Sequence, residues 1–177
     1  MSACALHFIA PIGSFVMTDR AELKILPPFV LAPVLGAQAI AWALSPAPIL
    51  PGNVTVPLGL AVVAASIVLA ILAAREIVRA GTAFDARKTT TALVDSGVFR
   101  FTRNPVYLSM VLLVIGDGLI LNSFWSLLLA VPTGSALCLT AIRPEERYLE
   151  AKFGETYRAY RSEVPRWFSI RRVLTAF

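Results

Sequence analysis

Four apolar stretches, Ile25–Leu44, Pro57–Val78, Pro105–Leu121 and Phe124–Ile142, leave this chain few ways to fold. A helix rising about 1.5 Å per residue needs roughly 20 apolar residues to cross about 30 Å of hydrocarbon. The first two stretches meet that length, and the last two reach roughly 25 and 28 Å by the same rise. Composition agrees: the 177 residues are 57% hydrophobic and 15% charged, and the mean hydropathy of +0.73 lies outside ordinary soluble usage. The expected fold is therefore all-α, a polytopic membrane protein of about four transmembrane helices. Pro27, Pro28 and Pro33 should bend the first span or delay its start. Only Asn122 and Ser123 separate the last two spans, which predicts a tight helical hairpin.

Charge placement predicts the orientation. Lys and Arg number two before the first span, six between the second and third, and eight after Ile142. The connections 45–56 and 122–123 carry none. By the positive-inside rule both termini and the middle loop are cytoplasmic, and Trp42 and Trp125 fall at the outer interface. Arg75 and Glu76 snorkel at the end of the second span. The net charge of +5 is interleaved with apolar runs, so it is matched to a membrane surface and not to nucleic acid. Residues 25–166 form one membrane domain, in which the amphipathic stretch 143–166 caps the cytoplasmic face; a tail follows over 167–177. Residues 1–24 form an N-terminal segment. Within it Ala3–Val16 lacks a basic n-region and a cleavage site, so it either lies along the interface or precedes a true start at Met17. Cys4, Cys138 and the single histidine, His7, have no metal-ligand spacing and no disulfide framework.

Two polar clusters flank the hairpin. Asn104-Pro105 is a helix start, with Asn at the N-cap and Pro at the first helical position. Pro144 opens another helix, whose first turn carries Glu145 and Glu146 as its dipole favours. Taken singly, these are ordinary structural features, and Arg100 and Arg103 are topology charges. The hairpin nonetheless brings Asn104–Tyr107 and Arg143–Glu146 to one end of the molecule. Helix N-terminal amides there can hold a carboxylate, and the glutamates can hold a hydroxyl, an ammonium or an arginine. Asp117 lies roughly 18 Å beyond Pro105, away from this cluster, and is read as an interhelical or interfacial polar group.

Two blocks of residues resemble a known family. Leu93-Val94-x2-Gly97-x-Phe99-x3-Arg103-Asn104-Pro105-x-Tyr107 is similar to the signature of the isoprenylcysteine carboxyl methyltransferase and phospholipid N-methyltransferase superfamily. So is the later run Glu145-Glu146-x2-Leu149-x3-Phe153-Gly154-x2-Tyr157-x2-Tyr160, followed by Val164-Pro165-Arg166. The resemblance covers about Thr90 to Arg166. It implies methyl transfer from S-adenosylmethionine to a lipidic or amphipathic acceptor, with the methyl donor in a pocket capped by the C-terminal segment. By matching position it implies that Thr91, Ala92, Leu93, Val94, Phe99, Asn104, Pro105, Val106, Tyr107 and Glu145 contact the donor. Family members often have His at the position of Asn104; either residue can start the helix and donate a hydrogen bond.

One departure bears on the acceptor. In the isoprenylcysteine branch an arginine stands four residues before the first glutamate, where this chain has Ala141. Arg143 is the nearby substitute, but two residues turn an ideal helix by about 200°. Glu146 is the expected general base if the acceptor is an amine, since an ammonium must lose a proton before it can attack. A carboxylate acceptor needs no base. Two competing readings are a sterol-reductase-like enzyme using NADPH and a non-enzymatic membrane scaffold.

Overall fold

The computed structural model describes residues 27–81 and 91–168. The N-terminal segment 1–24, the first residues of the expected first span, most of the basic loop after α2 and the tail beyond Phe168 lie outside the described residues. Seven helices carry the described chain: α1 (Pro27–Leu44), α2 (Gly52–Arg79), α3 (Pro105–Ile120), α4 (Phe124–Leu128), α5 (Ala130–Leu137), α6 (Arg143–Phe153) and α7 (Glu155–Glu163). A 3-10 turn at Gly97–Arg100 precedes α3, and a π-helical turn at Cys138–Ile142 joins α5 to α6. No strand occurs among the described residues.

Two helices are long and apolar enough to cross a membrane: Gly52–Arg79, of 28 residues, and the run Phe124–Phe153, of 30. The apolar α1 and α3 are shorter, at 18 and 16 residues. One boundary differs from expectation. The second helix starts at Gly52 and carries Pro57 within it; a proline inside an apolar helix costs one intrahelical bond, which its neighbours can make good. Pro144 does stand at the start of α6, as expected, but no loop precedes it: the chain runs from α5 through the π turn into α6. Its ring would press on the carbonyl four residues back, that of Thr140. The π turn widens the backbone there, with the amide of Arg143 bonding Cys138 O, five residues back.

The packing is inside-out relative to a soluble protein. Leu44, Ile67, Val68, Ile71 and Val131 are exposed, whereas Gln38, Thr55, Ser66, Ser109, Ser126 and Thr133 are buried. Such a surface suits a hydrocarbon solvent, where helices associate through small residues and polar cross-links. Gly59 and Gly116 let α2 and α3 touch: a Cβ on Gly59 would lie 2.7 Å from Gly116 O, and one on Gly116 2.7 Å from Val63 Cγ2. The Ser66 hydroxyl donates to Ser109 O at 2.8 Å. The Gln38 amide donates to Val114 O at 2.8 Å and Ser126 O at 2.9 Å, tying α1 to α3 and α4.

The predicted hairpin is present between α3 and α4. Asn122 turns the chain with φ 47°, a conformation asparagine tolerates better than most residues. Its amide donates to Leu50 O and its carbonyl oxygen accepts from Ile49 N. The Ser123 hydroxyl then accepts from Ser126 N as the N-cap of α4. This end of the molecule is thereby closed by neutral groups. The charged groups that form the site lie at the other end.

Candidate functional site

Three segments converge there: the loop and 3-10 turn before α3, the first turn of α6, and the strand-like exit from α7. α2 supports the first of these. Glu76, near its end, accepts from the Ser96 hydroxyl at 2.8 Å and from Arg79 at 2.9 Å. Gly97 passes directly over this carboxylate with φ 56°, and a Cβ there would lie 2.7 Å from Glu76 Cδ. Only glycine combines that backbone angle with that approach. The 3-10 turn that follows buries Phe99, whose carbonyl accepts from the Tyr160 hydroxyl at 2.8 Å.

The exit from α7 is strapped to the turn before α3. Arg103 N donates to Pro165 O at 3.0 Å. The Thr102 hydroxyl and the Asn104 side-chain amide both donate to Arg166 O, each at 3.1 Å. Asn104 is therefore not the expected side-chain N-cap: its amide serves this long-range bond, while Pro105 does take the first position of α3. Side chains complete the strap. Arg166 donates through Nε and Nη2 to the two oxygens of Glu146, at 3.0 and 2.6 Å. Arg103 Nη1 lies 3.2 Å from Glu146 Oε1 and donates to the Tyr157 hydroxyl, also at 3.2 Å. Glu146 and Arg103 are nearly buried, with side chains 9% and 8% exposed. Bidentate, charge-assisted pairs of this kind resist dissociation, because removing one member leaves an uncompensated buried charge. The same bonds hold the Arg166 guanidinium firmly protonated.

Beside this triad lies a second carboxylate. The Tyr107 hydroxyl donates to Glu145 Oε2 at 2.9 Å, joining α3 to α6. Burial pushes the Glu145 carboxyl above its ordinary range, and the neighbouring Glu146 adds to that; the Tyr107 hydrogen bond opposes both. Tyr107 is buried in a cluster with Leu137, Ala141 and Ile142, against which Val30, Met110, Val111 and Trp167 pack.

Among the residues expected to contact a methyl donor, Phe99, Asn104, Pro105, Val106, Tyr107 and Glu145 are gathered at this end by the strap and by the first turn of α3. Thr91, Ala92, Leu93 and Val94 precede the 3-10 turn as irregular chain, with the Thr91 hydroxyl donating to Gly81 O at 3.0 Å. The two residues expected to act on the acceptor separate. Glu146, read as a base toward an amine, has both oxygens on guanidinium groups. Arg143 is exposed, has no part in the triad's bonds, and lines a groove with Trp167. Ala141 is fully buried in the core cluster.

Arg103, Thr102 and Arg166 have structural roles that local sequence did not assign. Their one sequence signal is position, inside the two blocks described above; the ion pairs themselves join residues 20 and more positions apart. Among the described residues no group of His, Cys, Asp and Glu could hold a metal ion.

Two groups at this end can take a polar ligand atom. Glu145 keeps Oε1 beside the Tyr107-bound Oε2, and Arg103 Nε is buried with no hydrogen-bond partner. A carboxylate with a spare oxygen takes an ammonium or a hydroxyl, and an orphaned guanidinium N–H takes a carboxylate.

Comparison with known proteins gives two matches. A family model described as phospholipid methyltransferase matches residues 54–156, a stretch running from α2 to the start of α7. The chain is 33% identical over 73 residues to a protein-S-isoprenylcysteine O-methyltransferase of Schizosaccharomyces pombe. That alignment takes in 41% of this chain and 31% of the relative's length, so well under half of that relative is represented here.

Proposed function

Because the chain belongs to the phospholipid methyltransferase family, we propose that it is a membrane enzyme transferring a methyl group from S-adenosylmethionine to a lipidic acceptor at the cytoplasmic membrane face. In this reading residues 25–166 are one domain with four spans, near 25–44, 57–78, 105–121 and 124–142. Both termini are cytoplasmic, and 143–166 caps the site. The charge asymmetry and the two-residue hairpin at Asn122-Ser123 support that topology. The family match does not favour the NADPH-dependent reductase reading.

The observation that carries the proposal is the Tyr107–Glu145 bond, beside Glu146; the unpartnered Nε of Arg103, which pairs with Glu146, offers a second donor. Glu145 Oε1 holds the ammonium or a ribose hydroxyl of the methyl donor, and Arg103 Nε its carboxylate. Tyr107 fixes the orientation of Glu145, so binding costs little further ordering. The loop residues Thr91–Val94 and the buried Phe99 flank the rest of the ligand. When bound, S-adenosylmethionine supplies a sulfonium methyl that is already activated toward a nucleophile. What remains for the protein is alignment and exclusion of water. The strap of Thr102, Asn104, Glu146 and Arg166 performs the second task by closing the C-terminal segment over the turn before α3. Both Glu146 oxygens are engaged in that closure, which makes Glu146 a positioning residue in this reading.

Calorimetry on detergent-purified protein with S-adenosylhomocysteine tests the donor site. Incubation with radiolabelled S-adenosylmethionine and a total lipid extract tests the reaction. Binding together with a labelled lipid is the expected result. Binding of NADPH in place of S-adenosylhomocysteine, or binding of neither, would overturn the proposal.

A further inference from the structure

At 28 residues α2 outruns α3, and the excess lies at the charged end of the molecule. Gly59 meets Gly116 and Ser66 meets Ser109, so the two helices run antiparallel and are level at the serine pair. From Ser66 to Glu76 is ten residues, about 15 Å; from Ser109 back to Pro105 is four, about 6 Å. Glu76 therefore stands about 9 Å beyond the start of α3. The last turns of α2 rise past the bundle as a post, and the described chain before α3 leans on it.

That chain touches the post at two feet. The Thr91 hydroxyl donates to Gly81 O at 3.0 Å, and the Ser96 hydroxyl donates to Glu76 Oε2 at 2.8 Å. On the post the feet are five residues apart, roughly 7.5 Å along the axis. The chain from Thr91 to Ser96 could reach about 17 Å if fully extended. Less than half of that reach is used, so the segment bows off the post as an arch. Its crown, Ala92, Leu93 and Val94, is half-buried, whereas Thr91 and Ser96 are exposed.

The foot at Glu76 is closely fitted. Arg79 donates to Oε1 of the same carboxylate at 2.9 Å, so both oxygens are engaged, and Gly97 passes directly over the side chain. The Glu76 side chain is 16% exposed, against 63% for Arg79. A carboxylate in the last turn opposes the helix dipole, so the stability of α2 does not account for it. What Glu76 holds is the loop. The 3-10 turn starts directly after Ser96, and the Phe99 amide donates to Ser96 O at 3.1 Å. A shift of Ser96 would thus move the arch on one side and the buried Phe99 on the other.

We infer that Glu76 is a positioning residue for the methyl donor: it touches no part of the ligand and sets the arch 91–96 and Phe99, against which the donor lies. The inference rests on the methyltransferase reading for the identity of the ligand. Glu76 precedes both sequence blocks that resemble the methyltransferase family, so its role is argued from its contacts alone.

Two readouts on detergent-purified protein test this: calorimetry with S-adenosylhomocysteine, and amide hydrogen exchange of the ligand-free protein followed by mass spectrometry. Glu76→Ala should weaken S-adenosylhomocysteine about ten-fold, the effect of one lost hydrogen bond to a charged group. It should also speed exchange in peptides containing Phe99, while α3 keeps wild-type protection. Glu76→Gln keeps an acceptor for Ser96 and should bind within about three-fold of wild type. Ser96→Ala should match Glu76→Ala, and the double variant should be no weaker than either single, because both cut the same bond. In methyl transfer to extracted lipid, KM for S-adenosylmethionine should rise in Glu76→Ala with kcat unchanged, the pattern of a group that acts on binding only. If Glu76→Ala lowers the melting temperature, Ser96→Ala carries the test, since it leaves the Glu76–Arg79 pair in place. Unchanged exchange at Phe99, additive losses in the double variant, or an affinity that Glu76→Gln does not recover would overturn the inference. No S-adenosylhomocysteine binding by wild type, with exchange at Phe99 still set by Glu76, would sink the methyltransferase reading and not the anchoring of the arch.

Discussion

The Tyr107 hydroxyl and Glu145 Oε2 meet at 2.9 Å although 38 positions separate the residues. The bond links the first turn of α3 to the first turn of α6 and engages one of the two Glu145 oxygens. Tyr107→Phe should therefore loosen a carboxylate without removing it. About ten-fold weaker binding of S-adenosylhomocysteine is expected, matching one hydrogen bond of roughly 1–1.5 kcal/mol. Glu145→Ala should weaken it further. Calorimetry measures both, and unchanged affinity in the two variants would disprove the assigned site.

Glu146 predicts a different pattern, because its partners are protein groups. Glu146→Ala leaves Arg103 buried without a counter-charge and releases Arg166, so a stability loss of roughly 3–5 kcal/mol is expected. Thermal unfolding in detergent measures it. Arg166→Lys should recover only part of the stability lost in Arg166→Ala, since an ammonium cannot reproduce the two-pronged contact with Glu146. Full recovery with lysine would show that charge alone matters at this position.

The raised Glu145 carboxyl gives a pH dependence with a definite sign. Its folded-state value lies above the ordinary 4.5, so the folded state holds the proton more tightly than the unfolded chain. The associated stability is complete below the unfolded value and is lost as pH rises through the folded one. Wild-type protein should thus lose stability across that window relative to Glu145→Gln. Binding of an ammonium-bearing ligand should change in the opposite sense, tightening with pH as the carboxylate forms. Thermal melts and calorimetry on both proteins over the window check the pair of trends; parallel curves for wild type and Glu145→Gln would refute the assignment.

Gly97 and Glu76 should be coupled. Gly97→Ala meets both an unfavourable positive φ and the anchored Glu76 carboxylate, and should destabilise the protein by about 1–3 kcal/mol. Glu76→Ala removes the obstruction but not the backbone cost. The double variant should accordingly be less unstable than the sum of the singles. Simple additivity in a double-mutant cycle of melting data would argue against contact between the two residues.

Legibility from sequence followed the range of the interactions. Run lengths located the apolar helices, and two polar residues with no room for a loop predicted the hairpin that Asn122 makes. The boundary at Pro57 was misread, because a proline's local effect was given more weight than the surroundings that accommodate it; Pro57 lies inside α2, whereas Pro144 does stand at the start of α6, directly after the π turn. At the site, the meeting of Asn104–Tyr107 with Glu145-Glu146 followed from topology. The partners of those residues did not. The side-chain amide of Asn104 bonds the Arg166 carbonyl, and Glu146 is shared between Arg103 and Arg166. Such pairings depend on where α7 returns, and no periodicity or spacing encodes that.

The π turn at Cys138–Ile142 sets the rotational phase of everything after it. Deleting one of its residues would turn α6 by about 100° about its axis, carrying Glu145 away from Tyr107 and Arg143 away from the groove, while leaving the bundle of α1 to α5 untouched. The extra residue therefore works as a gear between two halves of the molecule, one fitted to lipid and one bearing charge. A chain of this kind can redirect the charged side chains of α6 by a change of length at a single turn, with no new residue type required.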